Sequence, residues 1–156
     1  LQRLLFLQNF KKIIKVGNII TNDTKQVIVI RKDLKMRKGK MVAQGAHASM
    51  KAVIDEGEFD KMDWGGGDTD PQLIITLSED MNAWLIGLFT KICVSVDSEE
   101  ELLTIYEQAK EAGLHCSLIQ DAGLTEFDGV PTYTAVAVGP ASREDCDKIT
   151  GNLPLL

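Results

Sequence analysis

The chain has 156 residues, three cysteines and a formal net charge of −6. This length predicts one domain with a real core, and an odd number of widely spaced cysteines argues against a disulfide framework. A net acidic chain is a poor general binder of nucleic acid, because phosphate affinity comes largely from clustered cations.

Charge is distributed unevenly along the chain. Residues 1–51 hold twelve Lys and Arg against two Asp, a net charge of +10, and the remainder carries −16. A local basic region on an acidic body suits gripping one end of a polyanion while the rest of the surface repels loose contacts. Two classes remain: a site-specific nucleic-acid enzyme and a binder of small phosphorylated ligands.

Residues 1–24 are predicted to be an extension, poorly ordered or loosely docked, ahead of a domain at 25–156. Their longest apolar run, Leu4–Leu7, is too short for a signal-peptide core or a membrane span. The apolar residues mixed with lysines leave open a basic amphipathic helix or an organelle-targeting segment. With no visible secretory signal, the cysteines indicate a reducing, cytoplasmic setting.

A strand that ends in a basic turn comes next. Apolar residues at 27–30 predict a buried strand over 26–31, and a helix is predicted over about 39–55. Six Lys and Arg crowd the segment 31–40 between them. A helix start exposes unpaired N–H groups and the positive end of its dipole, so it favours anions. The turn predicts a phosphate-bearing partner, and a solvated loop is the alternative.

Four polar residues of this helix form a stripe on the helical wheel: Lys40, Gln44, His47 and Lys51. The opposite face carries Val42, Ala46, Ser49 and Val53, with Met50 alongside. His47 is therefore expected to face the groove or solvent, in a supporting or RNA-contacting role. Metal binding by the cysteines with His47 or His115 lacks the required spacing.

The rest of the chain alternates helices and strands. A flexible surface loop is predicted at 63–68, an extended piece at 73–77 and a short amphipathic helix at 81–89. Further strands are predicted at 91–96, 116–120 and 133–138, and further helices at 98–112 and 142–149. The alternation indicates an α/β layered domain. The last two strands lack a crossover helix between them, so they are expected to be antiparallel in a mixed sheet.

An Asp-Ala-Gly turn follows the third of these strands. If the first and third strands are parallel, Asp121 lies beside the basic turn, in the crevice where open α/β sheets commonly bind ligands. By itself the segment is weak evidence, because Asp and Gly are the usual turn formers.

Several segments together resemble one family. They are Arg-x-Asp-Leu-Lys-Met-x-Lys-Gly-Lys at 31–40, Ala43-Gln44, His47-Ala48, Gln120-Asp121-Ala122-Gly123-x-Thr125, Thr134 five residues before Gly139-Pro140, and Asp147-Lys148-Ile149-Thr150-Gly151. From about residue 26 to 156 the chain resembles the type 2 (archaeal and eukaryotic) peptidyl-tRNA hydrolases. It departs from their pattern at Arg37, where many relatives have Gly, and at Leu124, a position that is often basic.

The resemblance implies hydrolysis of the ester that joins a peptide to the 3′ end of tRNA, with no metal or other cofactor. It implies a single-domain α/β sandwich whose mixed four-stranded sheet is flanked by helices on both faces. The catalytic residues that it implies are Lys40, Asp121, Thr125 and Thr134. The candidates for substrate contact are Lys35, Arg37, Lys38, Gln44, His47 and Lys51. The expected partner is peptidyl-tRNA, not a membrane, and a homodimer is left open.

The chemistry of these residues suits the implied reaction. Ester hydrolysis needs a positioned water, a proton acceptor and a cation or donor where the oxyanion develops. Asp121 suits the acceptor or an orienting group, Lys40 the cation, and the two threonines can fix the water or the carboxylate. Two alternatives stay open: a structural Lys40–Asp121 ion pair, and a non-catalytic tRNA- or protein-binding module on the same fold.

Overall fold

The computed structural model describes residues 23–59 and 72–156. Its strands are β1 (Thr24–Arg31), β2 (Gly57–Phe59), β3 (Leu73–Ile75), β4 (Lys91–Val96), β5 (Cys116–Asp121) and β6 (Thr132–Ser142). Its helices are α1 (Lys38–Ile54), α2 (Glu79–Ile86), α3 (Glu99–Glu111) and α4 (Arg143–Thr150). The extension predicted for residues 1–24, up to residue 22, and the loop predicted at 63–68 lie outside the described residues.

The main sheet has the strand order β4–β1–β6–β5. Strand β1 is parallel to β4 and antiparallel to β6, and β6 is antiparallel to β5. The predicted mixed sheet and the antiparallel last pair are therefore confirmed. Strand β5 runs in the direction of β1, which was the condition for placing Asp121 beside the basic turn, but β6 lies between them. Their carboxyl ends are therefore not neighbours. The start of β6 fills the space between those two ends.

Helices cover both faces of this sheet, as predicted. Side chains alternate along a strand, so Val27 and Val29 of β1 join one core cluster while Ile28 and Ile30 join the other. The first cluster contains residues of α3 and α4, and the second contains residues of α1. All eight residues of β1 are buried as a result.

The buried face of α1 differs from the one that the sequence suggested. Gln44 and the small residues Gly45, Ala48 and Ala52 are buried, whereas Val42 is 72% exposed. Small side chains allow the helix backbone to approach the sheet, whose surface beneath α1 includes alanines of β6. The large apolar residues on the opposite side were therefore a misleading guide. His47 is exposed, as expected.

Three serines define helix starts in the described residues. Ser78, Ser98 and Ser142 precede α2, α3 and α4, and each side chain accepts a hydrogen bond from a backbone N–H in the first turn. Helix α2 thus begins two residues before the predicted position, and it ends at Ile86. The sequence reasoning missed β2, which pairs with β3 in a separate two-stranded sheet.

Candidate active site

Three segments of the chain converge at the edge of the sheet where β1 and β5 end. Lys40 and Gln44 lie one turn apart on α1, so their side chains leave the helix on the same side. Asp121 is the last residue of β5, and Thr134 is the third residue of β6. Thr125 lies in the loop between those two strands.

The centre of the site is an ion pair between α1 and β5. Lys40 Nζ lies 2.6 Å from Asp121 Oδ2 and 3.1 Å from Thr125 Oγ1. Gln44 Nε2 donates a hydrogen bond to the same Oδ2 at 2.9 Å, and the Gly123 N–H donates to Oδ1 at 2.9 Å. The side chains of Lys40 and Asp121 are only 12% and 15% exposed. One carboxylate therefore receives three donors in a largely covered position.

These donors hold the pKa of Asp121 below its usual range. The hydrogen bond from Lys40 is the largest cause, and the Gly123 N–H and the Gln44 amide act in the same direction, against the effect of burial. Asp121 is therefore ionised at neutral pH. The ring centroid of Phe127 lies 5.7 Å from Lys40 Nζ, within the range of a cation–π contact.

Thr134 reaches this centre through Gln44. Its Oγ1 donates to Gln44 Oε1 at 2.5 Å, and its side chain is fully buried. Gln44 is 1% exposed, and both ends of its amide bind protein groups. The expectation that Gln44 contacts substrate from an exposed polar stripe is therefore corrected. The available signal was its spacing of four residues from Lys40, which directs both side chains to one partner.

A sequence profile of the family described as peptidyl-tRNA hydrolase PTH2 matches residues 24–156. The chain belongs to the type 2 peptidyl-tRNA hydrolase family. A peptidyl-tRNA hydrolase from Methanocaldococcus jannaschii is 44% identical over 132 residues, which cover 85% of this chain and 99% of the relative. A second, from Methanothermobacter thermautotrophicus, is 40% identical over 132 residues, with the same two coverages.

The fold of this hydrolase family member also resembles a solved structure. An Agrobacterium protein of unknown function aligns with a TM-score of 0.50 and 18% identity, over 86% of this chain and 98% of that one. This likeness supports the α/β fold alone. Within residues 23–59 and 72–156, no helix combines the length and apolar character that a bilayer span needs.

Of the six residues predicted to contact the substrate, five are exposed and Gln44 is buried. Arg37, 79% exposed, places Nε 2.8 Å from Glu126 Oε1, and Lys51 Nζ lies 2.8 Å from Asp55 Oδ1. The other exposed residues of this set are Lys35, Lys38 and His47. The set therefore follows the basic turn and one exposed side of α1, with Gln44 as its buried exception.

Apart from Thr125, the sequence analysis missed the contacts that the β5–β6 loop makes at the site. Gly123 has a φ of +79°, and a Cβ built there would lie 2.5 Å from the Val130 carbonyl oxygen. Only glycine fits this conformation and this close approach, and the conformation directs the N–H at Asp121. Glu126 and Phe127 of the same loop contact Arg37 and Lys40. The Asp-x-Gly spacing was the available signal, and it was interpreted as a turn.

Two other features of the hydrolase lie outside this centre. Among the described residues, no group of three or more His, Cys, Asp or Glu side chains is arranged to hold a metal ion.

A cavity of about 990 Å³ lies between α1, β3 and α2 and includes Val42, Met50, Trp84 and Leu85 in its lining. Its lining contains neither Lys40 nor Asp121.

Proposed function

We propose that this chain hydrolyses the ester bond between the peptide, or an N-blocked aminoacyl group, and the 3′ end of tRNA. The observation that carries the proposal is the contact between Lys40 and Asp121, which lie 81 residues apart in the sequence. The chain also belongs to a family of peptidyl-tRNA hydrolases. A cation and a carboxylate at one covered point are the two groups that ester hydrolysis by water requires.

Asp121 has one oxygen left for a water molecule. Oδ2 already accepts from Lys40 and Gln44, while Oδ1 accepts only the Gly123 N–H among the described contacts. A carboxylate oxygen has about two lone-pair sites. We therefore assign the attacking water to Oδ1, where it would stand opposite the ammonium side of the carboxylate.

Lys40 connects the strength of the base to the progress of the reaction. While its ammonium contacts Oδ2, the pKa of Asp121 is low and the carboxylate is a weak base. As the water attacks, negative charge develops on the ester carbonyl oxygen and attracts the ammonium away from Oδ2. Asp121 becomes a stronger base at the moment when the water must lose its proton. Thr125 Oγ1 accepts from Lys40 and holds the ammonium at the site.

The resulting steps conserve atoms and charge. The water oxygen bonds to the carbonyl carbon while its proton moves to Asp121, and the oxyanion faces Lys40. Collapse of the tetrahedral intermediate breaks the bond to the ribose oxygen, which takes the proton back from Asp121. The products are a peptide acid and a free tRNA. None of these steps assigns a role to a metal or a cofactor.

The exposed cations suit the phosphates of the tRNA. Lys35 and Lys38 lie on the basic turn and at the start of α1, beside Lys40 in the chain. Arg37 and Lys51 have carboxylate partners that phosphates can replace. We propose that these four residues and His47 bind the phosphate backbone of the substrate. This binding would weaken as the salt concentration rises, because counterions compete for the phosphates.

One assay tests the proposal. Purified protein should release N-acetyl-amino acid from N-acetyl-aminoacyl-tRNA, and Lys40→Ala or Asp121→Asn should each lower kcat by roughly a hundred- to a thousand-fold. Lys110→Ala is the matched control, because it removes a lysine from an exposed ion pair on α3. If the wild type binds this tRNA but releases nothing, the chain is instead a non-catalytic binding module.

The wider assignments belong to the same proposal. We propose that residues 25–156 form the hydrolase domain, that residues 1–24 lie outside it, and that the protein works in the cytoplasm, where translation produces its substrate. The exposed free thiol of Cys93 is compatible with a reducing setting. A homodimer is tested by light scattering, and metal independence by activity in the presence of a chelator.

A further inference from the structure

We propose that Gln44 and Thr134 are positioning residues that act on the reaction through Asp121. In this arrangement the Thr134 hydroxyl fixes the Gln44 amide, and the amide fixes which oxygen of the carboxylate faces the water. The inference rests on the proposed hydrolysis and deepens it. It assigns to Gln44 a role other than contact with the substrate, and it makes Thr134 act on the carboxylate through Gln44.

Burial excludes direct contact with the substrate in this structure. Gln44 is 1% exposed and Thr134 is not exposed, because α1 packs here on the sheet surface formed by β5 and β6. Thr134 has this position since β6 lies between β1 and β5. Thr134 and Gln44, together called the relay, therefore approach Asp121 from inside the protein. Thr125 instead approaches Lys40 from the exposed side.

The hydrogen bonds define one orientation of the amide. Thr134 has a single hydroxyl proton, and Gln44 Oε1 at 2.5 Å is a much closer acceptor than the Ile119 carbonyl oxygen at 3.5 Å. The Gln44 oxygen therefore points at Thr134, which directs the NH₂ group at Asp121 Oδ2. The opposite orientation would place two acceptors, Oε1 and Oδ2, against each other. Both ends of the relay thus select the same orientation.

This orientation decides which oxygen of Asp121 is free. The Gln44 amide and the Lys40 ammonium both bind Oδ2. During the reaction Lys40 is attracted to the oxyanion, and the amide then remains as the donor that keeps Oδ2 turned inward. Without it, the Gly123 N–H on Oδ1 is the remaining described donor, and with one donor the carboxylate can rotate about its last bond and lose the alignment of the water. Such a loss lowers the rate of the chemical step and leaves substrate binding unchanged.

A double-mutant cycle tests this coupling. The variants are Gln44→Met, which keeps the length of the side chain, Thr134→Val, which keeps its shape, and the two combined. Each single variant should lower kcat by about ten- to a hundred-fold, by analogy with the loss of groups that orient the ligands of a metal ion, with KM unchanged. The double variant should be no worse than Gln44→Met alone, and Thr134→Ser should recover most of the activity.

A second measurement reports on Asp121 without activity. In Gln44→Met, the carboxyl pKa followed by carbon-13 NMR should rise towards its ordinary value, and the acid limb of the kcat profile should move to higher pH with it. Independent multiplicative losses in the double variant, a raised KM with normal kcat, or an unmoved carboxyl pKa would each overturn the relay. A wild type that hydrolyses nothing would instead remove the proposed function, and the NMR titration would still test the relay.

Discussion

At the scale of single residues, the two oxygens of Asp121 have different surroundings. One is bound by an ammonium and an amide, and the other by a backbone N–H from its own loop. The distinction explains how a carboxylate with a lowered pKa can serve in hydrolysis. In the proposed mechanism, Asp121 orients water at rest and gains basicity only when Lys40 turns to the substrate.

The lowered pKa of Asp121 predicts the pH dependence of activity. A carboxyl group whose pKa is lowered stays ionised to more acidic pH. The acid limb of the kcat profile should therefore lie below the ordinary pKa of an Asp side chain, which is about 4. Lys40→Met removes the largest cause of the lowering, and the Asp121 pKa should rise. The acid limb of the residual activity should move upward, which a kcat profile between pH 3 and 8 would reveal.

The same shift predicts a change in stability. A group with a lowered pKa in the folded state stabilises the fold above its unfolded pKa and loses that contribution as pH falls through the folded value. The free energy of unfolding of the wild type, measured with urea, should therefore fall on acidification through this window. The free energy of unfolding of Lys40→Met should fall less steeply. Equal slopes for the two proteins would contradict the cause assigned to the shift.

At the scale of elements, the sequence predicted the order of the main helices and strands better than their packing. The strand–turn–helix around Lys40 follows from local apolar runs and the basic turn. The buried face of α1 did not follow, because Gly45 and Ala48 pack by being small, and pattern reasoning gives weight to large residues. The place of β6 between β1 and β5 is a long-range pairing, so the Thr134–Gln44 contact was invisible in the sequence.

The loop between β5 and β6 supplies a test at this scale. In Gly123→Ala, the added Cβ would meet a backbone carbonyl at 2.5 Å and strain a φ of +79°, so the loop must move away from Asp121. We expect a loss of about 3 kcal/mol in the free energy of unfolding, combining strain and crowding, together with lower kcat. Denaturant unfolding and the hydrolysis assay measure the two effects.

Gly129 of the same loop is the matched control. Its φ is +78°, but a Cβ there would have nothing within 4 Å. Gly129→Ala should therefore cost only the backbone strain, about 1 kcal/mol, and should leave the Asp121 contact in place. Equal losses of stability and rate in both variants would show that the conformation, and not the close approach, is what Gly123 provides.

At the scale of the whole molecule, charge is concentrated where the reaction is proposed to occur. Residues 31–40 hold six Lys and Arg, and residues 52–156 carry a net charge of −16, so the start of α1 presents cations on an otherwise acidic chain. Such a surface attracts one end of a polyanion and repels the rest. Arg37 is part of this patch, and Glu126 on the opposite loop binds it at 2.8 Å.

This exposed ion pair predicts opposite effects of two substitutions on tRNA affinity. In Glu126→Gln, Arg37 loses its carboxylate partner and becomes available to a phosphate, so KM should fall and its dependence on salt should steepen. In Arg37→Ala, KM should rise and the slope of log KM against log salt should become shallower by roughly 0.7–0.9, the value for one phosphate contact. In both, kcat at saturation should stay within about twofold of the wild type, because neither residue touches Asp121. The measurement is KM at several salt concentrations, with Lys110→Ala as the control. If Glu126→Gln leaves both KM and the slope of log KM against log salt unchanged, Arg37 does not bind the substrate.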